Sequence, residues 1–445
     1  AGTGLSSCQI GKSYTRPDMP LPARLDTLTQ DTASIGDLSW WELYNDTTLQ
    51  QLIHRALTYN KDLKIASARM NELAALKRID FANMFPQATA RLNGNRETTN
   101  YGGDNFDADP ELSLTASISW ELDLWGNLRW ARDHSTAGFL ASVENCRAVK
   151  MGLVAQVAQS YFELMALDNE LAIVRRTLEA RREGVRLAEI RFKGGLTSEI
   201  VFQQAKVELA KTATMVPDLE RRISLKESEI ALLTGDFPYA VNRNVLPEEI
   251  QLPDALPLGL PSTLLERRPD IRKAERELMA AHAEVGLAYT NMFPRLALTA
   301  TLGAESETLR DLLKSPYSYL AGNLLSPLFA MGKNRAALKA KRAAYEGAVA
   351  EYEKTVLTAF KETHNAIINF NKIKDIYESR RQLAEASRTA VELAQLQYIN
   401  GVIGYLDLLD AQRNYFDAQV SLSNAVCDKQ LMIINLYKAL GGGWK

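Results

Sequence analysis

Asn83-Met84-Phe85-Pro86 returns letter for letter as Asn291-Met292-Phe293-Pro294, 208 positions later in a chain of 445 residues. The flanks repeat with it. Asp62-Leu63 and Ala66 face Asp270-Ile271 and Ala274 at the same offset of 208. Farther on, Gly126-Asn127-Leu128-Arg129 faces Gly332-Lys333-Asn334-Arg335, Gly195 faces Gly401, Ala205 faces Ala411 and Gly235 faces Gly441, all at 206. One change of two residues between the Pro and the Gly is how two diverged copies differ by a shortened turn. The chain is a tandem duplication.

Period decides what each copy contains. Leu43, Leu49, Leu52, Ile53, Ala56 and Leu57 fall at helical spacing, and a first helical region is expected to reach about Phe81. After Pro86 the period drops from 3.6 to 2. Ala88, Ala90 and Leu92 alternate with polar neighbours, and beyond a loop rich in Gly, Asn and Asp the alternation resumes. There Leu112, Leu114, Ala116, Ile118, Trp120, Leu122 and Leu124 interleave with Glu, Ser, Thr and Asp. This predicts a strand of about 14 residues with one apolar and one polar face, against a usual 5 or 6. The second copy is looser. Leu296, Leu298, Ala300 and Leu302 make one strand, and Leu320, Gly322, Leu324 and Leu328 a weaker return, with Pro327 near its end.

Long helices follow each pair. From about Arg129 to Phe192 there is no Pro, and Leu164, Leu167, Leu171, Val174, Leu178, Val185, Ala188 and Phe192 recur at steps of three and four, with Arg181 in the one polar slot. That is a heptad seam, on a helix of roughly 95 Å at 1.5 Å per residue. The second copy, from about Lys333 to Tyr398, is as long. Gly194-Gly195 and Asn400-Gly401 end the two rods, and returning helices follow over Ser198–Leu233, with a kink expected at Pro217, and Tyr405–Leu440. The expected layout is an extended Pro-containing arm over 1–42, repeat 1 over 43–237, a linker over 238–262 and repeat 2 over 263–445. Strands are expected at about 87–124 and 295–329, and long helices at about 129–235 and 333–440.

Composition narrows the classes. The hydrophobic fraction is 46% and the charged fraction 24%, with a net charge of −2, so no global field points to nucleic acid. No apolar run is long enough for a transmembrane helix, which leaves a β-barrel open. Cys146 and Cys427 sit in helical patterns as packing residues. Leu5-Ser6-Ser7-Cys8 instead has the shape of a lipobox and marks Cys8 for acylation, with no apolar h-region ahead of it, as after removal of a signal peptide. His54, His134, His282 and His364 are scattered without metal spacing, and Gly11-Lys12-Ser13 fails as a P-loop because Ser6 stands where Gly is needed. No nucleophile, base or metal set converges, so neither an enzyme nor a cofactor is expected.

Four long strands with one apolar face cannot close a barrel alone, and an open sheet leaves its edges unpaired. Several chains pooling strands solves both problems, with the apolar side toward lipid. The alternative, a non-transporting periplasmic coiled-coil scaffold or adaptor lipoprotein, has no use for a wholly apolar strand face.

Tyr14-Thr15-Arg16-Pro17, Trp40-Trp41, the Leu49 to Leu63 spacing, Leu264-Leu265-Glu266-Arg267-Arg268-Pro269-Asp270-Ile271 and Leu436-Tyr437-Lys438-Ala439-Leu440-Gly441-Gly442-Gly443-Trp444 together resemble the lipoprotein branch of the TolC-like outer-membrane factors. The resemblance covers essentially the whole chain. It implies a lipid-anchored homotrimer with four strands per subunit in a 12-stranded barrel, above a periplasmic helical tunnel. It also implies the passive exit duct of a tripartite efflux pump, reached from an inner-membrane transporter through a periplasmic adaptor.

In similar ducts the second turn closes the tunnel tip with rings of leucine and aspartate. By position these are Leu406, Asp407 and Asp410, with Tyr398 beside them. Three carboxylates in a narrow neck repel one another and attract cations, and a leucine ring favours dewetting. Aspartates this near a helix start equally suit a capping role. Some members lock the tip with an arginine–aspartate link. The corresponding positions here are Ile403 and Val201, so any lock must use other groups, such as Tyr398 or the hydrophobic ring. Gly194, Gly195, Asn400 and Gly401 are the implied adaptor contacts.

Overall fold

The computed structural model describes residues 9–20, 34–37, 39–43, 46–99, 107–244 and 261–444. Cys8 and residues 245–260 of the expected linker lie outside them. In chain order the elements are α1 (Trp40–Leu43), α2 (Thr47–Tyr59), α3 (Lys61–Ala82), β1 (Gln87–Thr99), β2 (Asp107–Leu122), α4 (Asn127–Lys193), α5 (Glu199–Thr234), α6 (Pro261–Arg267), α7 (Pro269–Thr290), β3 (Arg295–Ser306), β4 (Pro316–Leu325), α8 (Lys333–Ile399) and α9 (Tyr405–Ala439). β3 begins 208 positions after β1, whereas α8 begins 206 after α4, and both long helices are 67 residues. The lost pair of residues therefore falls between the third strand and the second rod.

The repeated Asn-Met-Phe-Pro stretch ends a helix in the same way in each copy. Met84 N–H donates to Phe81 O and Phe85 N–H to Ala82 O, matched by Met292 to Tyr289 and Phe293 to Thr290. These tightened turns satisfy the last carbonyls. The proline then removes a donor and fixes an extended φ, and the strand starts one residue later. Aromatic rings gather at both corners. Phe81 meets Phe85, Tyr289 and Trp125 both meet Phe293, Trp120 Nε1 donates to Met84 O at 3.1 Å, and Trp125 Nε1 donates to Pro294 O at 2.7 Å.

One departure from expectation concerns the first helical region. The first helical region is not continuous, because Asn60 interrupts it between α2 and α3 with ψ 135°. Its side chain accepts from Leu63 N–H and donates to Leu233 O, so a buried amide replaces the missing helical bonds. Pro217 lies inside α5, which continues through it.

The chain forms two compact units, and each draws on both copies. Unit 1 comprises residues 1–19, 68–144 and 272–355. It holds one antiparallel sheet in the order β1-β2-β3-β4. The register pairs Leu92 with Leu114, Ala116 with Leu302, Ile118 with Ala300, Trp120 with Leu298 and Leu296 with Leu324, so the apolar residues of all four strands share one face. That face is bare. Leu302 is 68% exposed, Leu320 81% and Ile118 54%. The other face carries hydroxyls, among them the Ser117–Thr301 pair at 2.9 Å. On that face the Tyr317 ring lies over Gly303, where an added Cβ would come within 2.5 Å of it. Gly303→Val is expected to push the ring off β3 and cost about 1–3 kcal/mol. A double variant that also carries Tyr317→Ala should recover much of the loss in a thermal melt of the folded protein, and strict additivity would contradict the contact.

Unit 2 comprises residues 20–67, 145–271 and 356–445. Its core brings together Leu49 and Ile53 of α2, Tyr161 and Leu164 of α4, Leu219 and Ile230 of α5, and Ile434 and Leu436 of α9, all fully buried. The heptad seam of α4 is buried at Leu164, Leu167, Leu171 and Val174, and only half-buried at Leu178, Val185 and Phe192. Arg268 organises the α6–α7 junction. Its guanidinium donates to Asp270 at 2.7 Å, to Glu362 of α8 at 2.6 Å and to Ala439 O at the end of α9 at 3.1 Å. Burial alone would raise the Asp270 carboxyl, but hydrogen bonds and charge from Arg268 outweigh it and hold the group below the ordinary carboxylate range.

Candidate functional site at the helix turns

Both rods end in one backbone motif. Gly195 N–H donates to Phe192 O and Leu196 N–H to Arg191 O, and one copy later Gly401 donates to Tyr398 O and Val402 to Gln397 O. These paired bonds form the Schellman arrangement, which needs a left-handed residue. Gly195 at φ +67° and Gly401 at φ +75° supply it. Gly194 N–H continues the α4 ladder to Ile190 O, and Asn400 caps α8 by donating its side-chain amide to Leu396 O at 2.8 Å. The residue after each glycine is apolar and 71% exposed, Leu196 in one turn and Val402 in the other. One helical turn on, Ile200 and Leu406 stand 64% and 62% exposed, so each turn repeats an uncovered apolar pair.

The acidic residues break this symmetry. Asp407 and Asp410 have Val201 and Gln204 as counterparts 206 positions earlier, so a carboxylate pair exists only at the second turn. Asp407 is exposed and accepts from Gly404 N–H at 3.0 Å, which is the capping role the spacing allowed. Asp410 is exposed and accepts from Asn414 Nδ2 at 3.2 Å, leaving the carboxylate free for further charge interaction. Tyr398 is buried. It packs edge-on against Tyr405 at 5.8 Å beneath the Arg191 guanidinium at 4.8 Å, so it braces the turn from within. Burial raises its phenol, against the opposing pull of Arg191.

An ion cluster that the sequence reading did not anticipate lies next to this turn. Glu208 of α5 pairs with Arg181 of α4 and with Arg413 of α9. The Glu208 and Arg181 side chains are 5% and 8% exposed, whereas that of Arg413 is 47% exposed. Arg181 also donates to Glu208 O at 3.0 Å. The hydrogen bond from Arg413 holds the Glu208 carboxyl below the ordinary range, helped by Arg181 and opposed by burial. One signal pointed here, the single polar slot that Arg181 makes in an apolar seam. Val201 and Ile403 take no part, so the link between the hairpins is built from Glu208 and two arginines instead. Among the described residues no cluster of His, Cys, Asp and Glu is arranged to hold a metal ion.

The chain thus combines a four-stranded sheet with a bare apolar face, two 67-residue helices and two matched turns. Residues 52–236 and 260–442 match the profile described as outer membrane efflux protein, and the chain belongs to that family. It is similar to the toluene efflux pump outer membrane protein TtgI of Pseudomonas putida, at 32% identity over 99% of this chain and 96% of the relative. It is also similar to the cation efflux system protein CusC of Escherichia coli, at 28% identity over 99% and 97%. Among solved structures, the outer-membrane channel OprN superposes with a TM-score of 0.90 at 30% identity, covering 98% of this chain and all of that one. The protein is an outer-membrane efflux channel, and members of its family are channels rather than enzymes.

Proposed function

We propose that three copies of this chain form a passive exit duct for cargo delivered by an inner-membrane transporter through a periplasmic adaptor. The observation that carries this reading is the sheet, whose apolar face is exposed and whose edge strands β1 and β4 each lack a second partner among the described residues. Such a sheet is stable in a bilayer only when its edges are closed by further copies. Three copies give twelve strands, with the hydroxyl face toward water. The duct performs no catalysis.

Within this reading Leu406 and Asp410 form the constriction at the periplasmic tip, and Asp407 caps α9 beside them. Leu196, Ile200 and Val402 around Gly194, Gly195, Asn400 and Gly401 form the adaptor-contact surface, since exposed apolar groups concentrated at two symmetric turns suit a partner. Cys8 carries the acyl anchor. The strap that follows it fits this role, because Ile10 N–H bonds Trp125 O next to the aromatic corner where the barrel begins. The relative SilC of Salmonella typhimurium is named a probable outer membrane lipoprotein. Purified in detergent, the protein is expected to sediment as three chains; a monomer at all concentrations would overturn the proposal.

A further inference from the structure

Residues 9–19 run as a strap over unit 1. Trp130 Nε1 donates to Ile10 O at 3.0 Å, and Arg16 forks onto Glu275 at 2.7 and 2.6 Å. Gly11, at φ +137°, lies so close to the indole that an added Cβ would sit 2.8 Å from it. Beside this strap is a cavity of about 640 Å³. Its walls are the Trp130, Tyr289 and Tyr345 rings with Val285 and Leu338. His282 stands among the rings, 5.6 Å from Trp130 and 5.7 Å from Tyr345, and burial lowers its pKa, so at neutral pH it adds no charge. The lining also includes two cations, Lys12 from the strap and Arg342 from α8. Both are exposed, and neither forms an ion pair with a described residue.

On the proposed reading of the sheet as part of a barrel wall, on which this inference rests, the cavity adjoins the membrane boundary. Tyr289 is 5.4 Å from Phe293, and Phe293 is 5.3 Å from Trp125, so its wall continues into the aromatic corner where β3 begins. An apolar aromatic wall offers a small inorganic anion nothing, and two unpaired cations offer a neutral lipid nothing. We propose that this cavity binds an anionic glycerophospholipid of the inner leaflet, with its phosphate between Lys12 and Arg342 and its glycerol and first acyl carbons against Trp130, Tyr289 and Tyr345. The size suits one headgroup and the start of its chains, and paired basic groups at the membrane surface select anionic lipid. The acyl group expected on Cys8 would satisfy the rings but leave both cations unpaired.

The test is native mass spectrometry of the full chain in detergent, offered equal dioleoyl phosphatidylglycerol and dioleoyl phosphatidylethanolamine. The wild-type protein is expected to retain phosphatidylglycerol about tenfold better. A Lys12→Ser, Arg342→Ser double variant, altered only at exposed side chains, should lose that preference while keeping its assembly mass. Gly286→Ala, whose Cβ would lie 2.3 Å from the Trp130 ring, should weaken retention of phosphatidylglycerol without touching charge. Equal retention of the two lipids by the wild type would overturn the proposal, as would a preference that survives the double variant. So would a preference seen only after Cys8→Ser, because the protein's own anchor would then be the occupant.

Discussion

Arg268→Ala is expected to destabilise unit 2 by about 3–5 kcal/mol, the cost of breaking a buried ion pair by deleting one partner. The residue is 4% exposed and ties the start of α7 to α8 and to the last carbonyl of α9. Its removal leaves the Asp270 carboxylate without the group that offsets its burial and deprives Ala439 O of one of its two donors, the other being Thr363. Arg268→Lys should recover only part of the loss, because a single ammonium cannot serve two carboxylates and a carbonyl with the geometry of a planar guanidinium. Thermal unfolding followed by circular dichroism in detergent measures this, and an alanine variant that melts with the wild type would show that the junction is held by other contacts. The arginine of the Arg268-Pro269-Asp270-Ile271 element thus has a physical role. It closes the end of α9 while Pro269 supplies the first position of α7.

Glu208→Ala is expected to loosen the turn region and raise channel conductance. With the carboxylate gone, Arg181 remains as a buried guanidinium without its partner, at a cost of about 3–5 kcal/mol. Arg413→Ala removes a half-exposed partner and should cost about 1 kcal/mol or less. The asymmetry is the discriminating result, since equal effects would mean that burial of the pair is unimportant. The carboxyl is held below its ordinary 4.5 by Arg413 and Arg181. A depressed folded pKa contributes stability that is complete above the unfolded value and lost only as pH falls through the folded one. The wild-type link should therefore be indifferent to pH from neutral down to 4.5 and weaken only below that. Glu208→Gln should lack the acid transition.

Much of the fold was legible because two periods and one repeat overdetermine it. The alternation from Leu112 to Leu122 requires one register parity if its apolar side is to stay on one face, and the observed pairing of Ala116 with Leu302 has it. The long helices were readable from their missing prolines and their glycine ends. The Asn60 break was not, because Asn is tolerated in a helix and only a distant acceptor, Leu233 O, makes the break favourable. The ion cluster was half-legible. Arg181 stood out in its seam, but its partners come from the neighbouring helix and from the other copy, where the repeat offset sets Asn414 opposite Glu208 and so gives no hint of Arg413. In the proposed duct, the wall on which Leu406 and Asp410 would act belongs to an assembly of chains, and no single-chain pattern separates an exposed pore residue from an exposed partner contact.

Single-channel recording in planar bilayers tests the central proposal most directly, that the second turn is the cation-selective constriction of an otherwise passive duct. The wild-type protein is expected to give small, cation-selective steps. Asp410→Ala should reduce that selectivity and change the conductance, while Gln204→Ala at the equivalent place in the first turn should do neither. Currents from Asp410→Ala that match the wild type in size and selectivity would contradict the account.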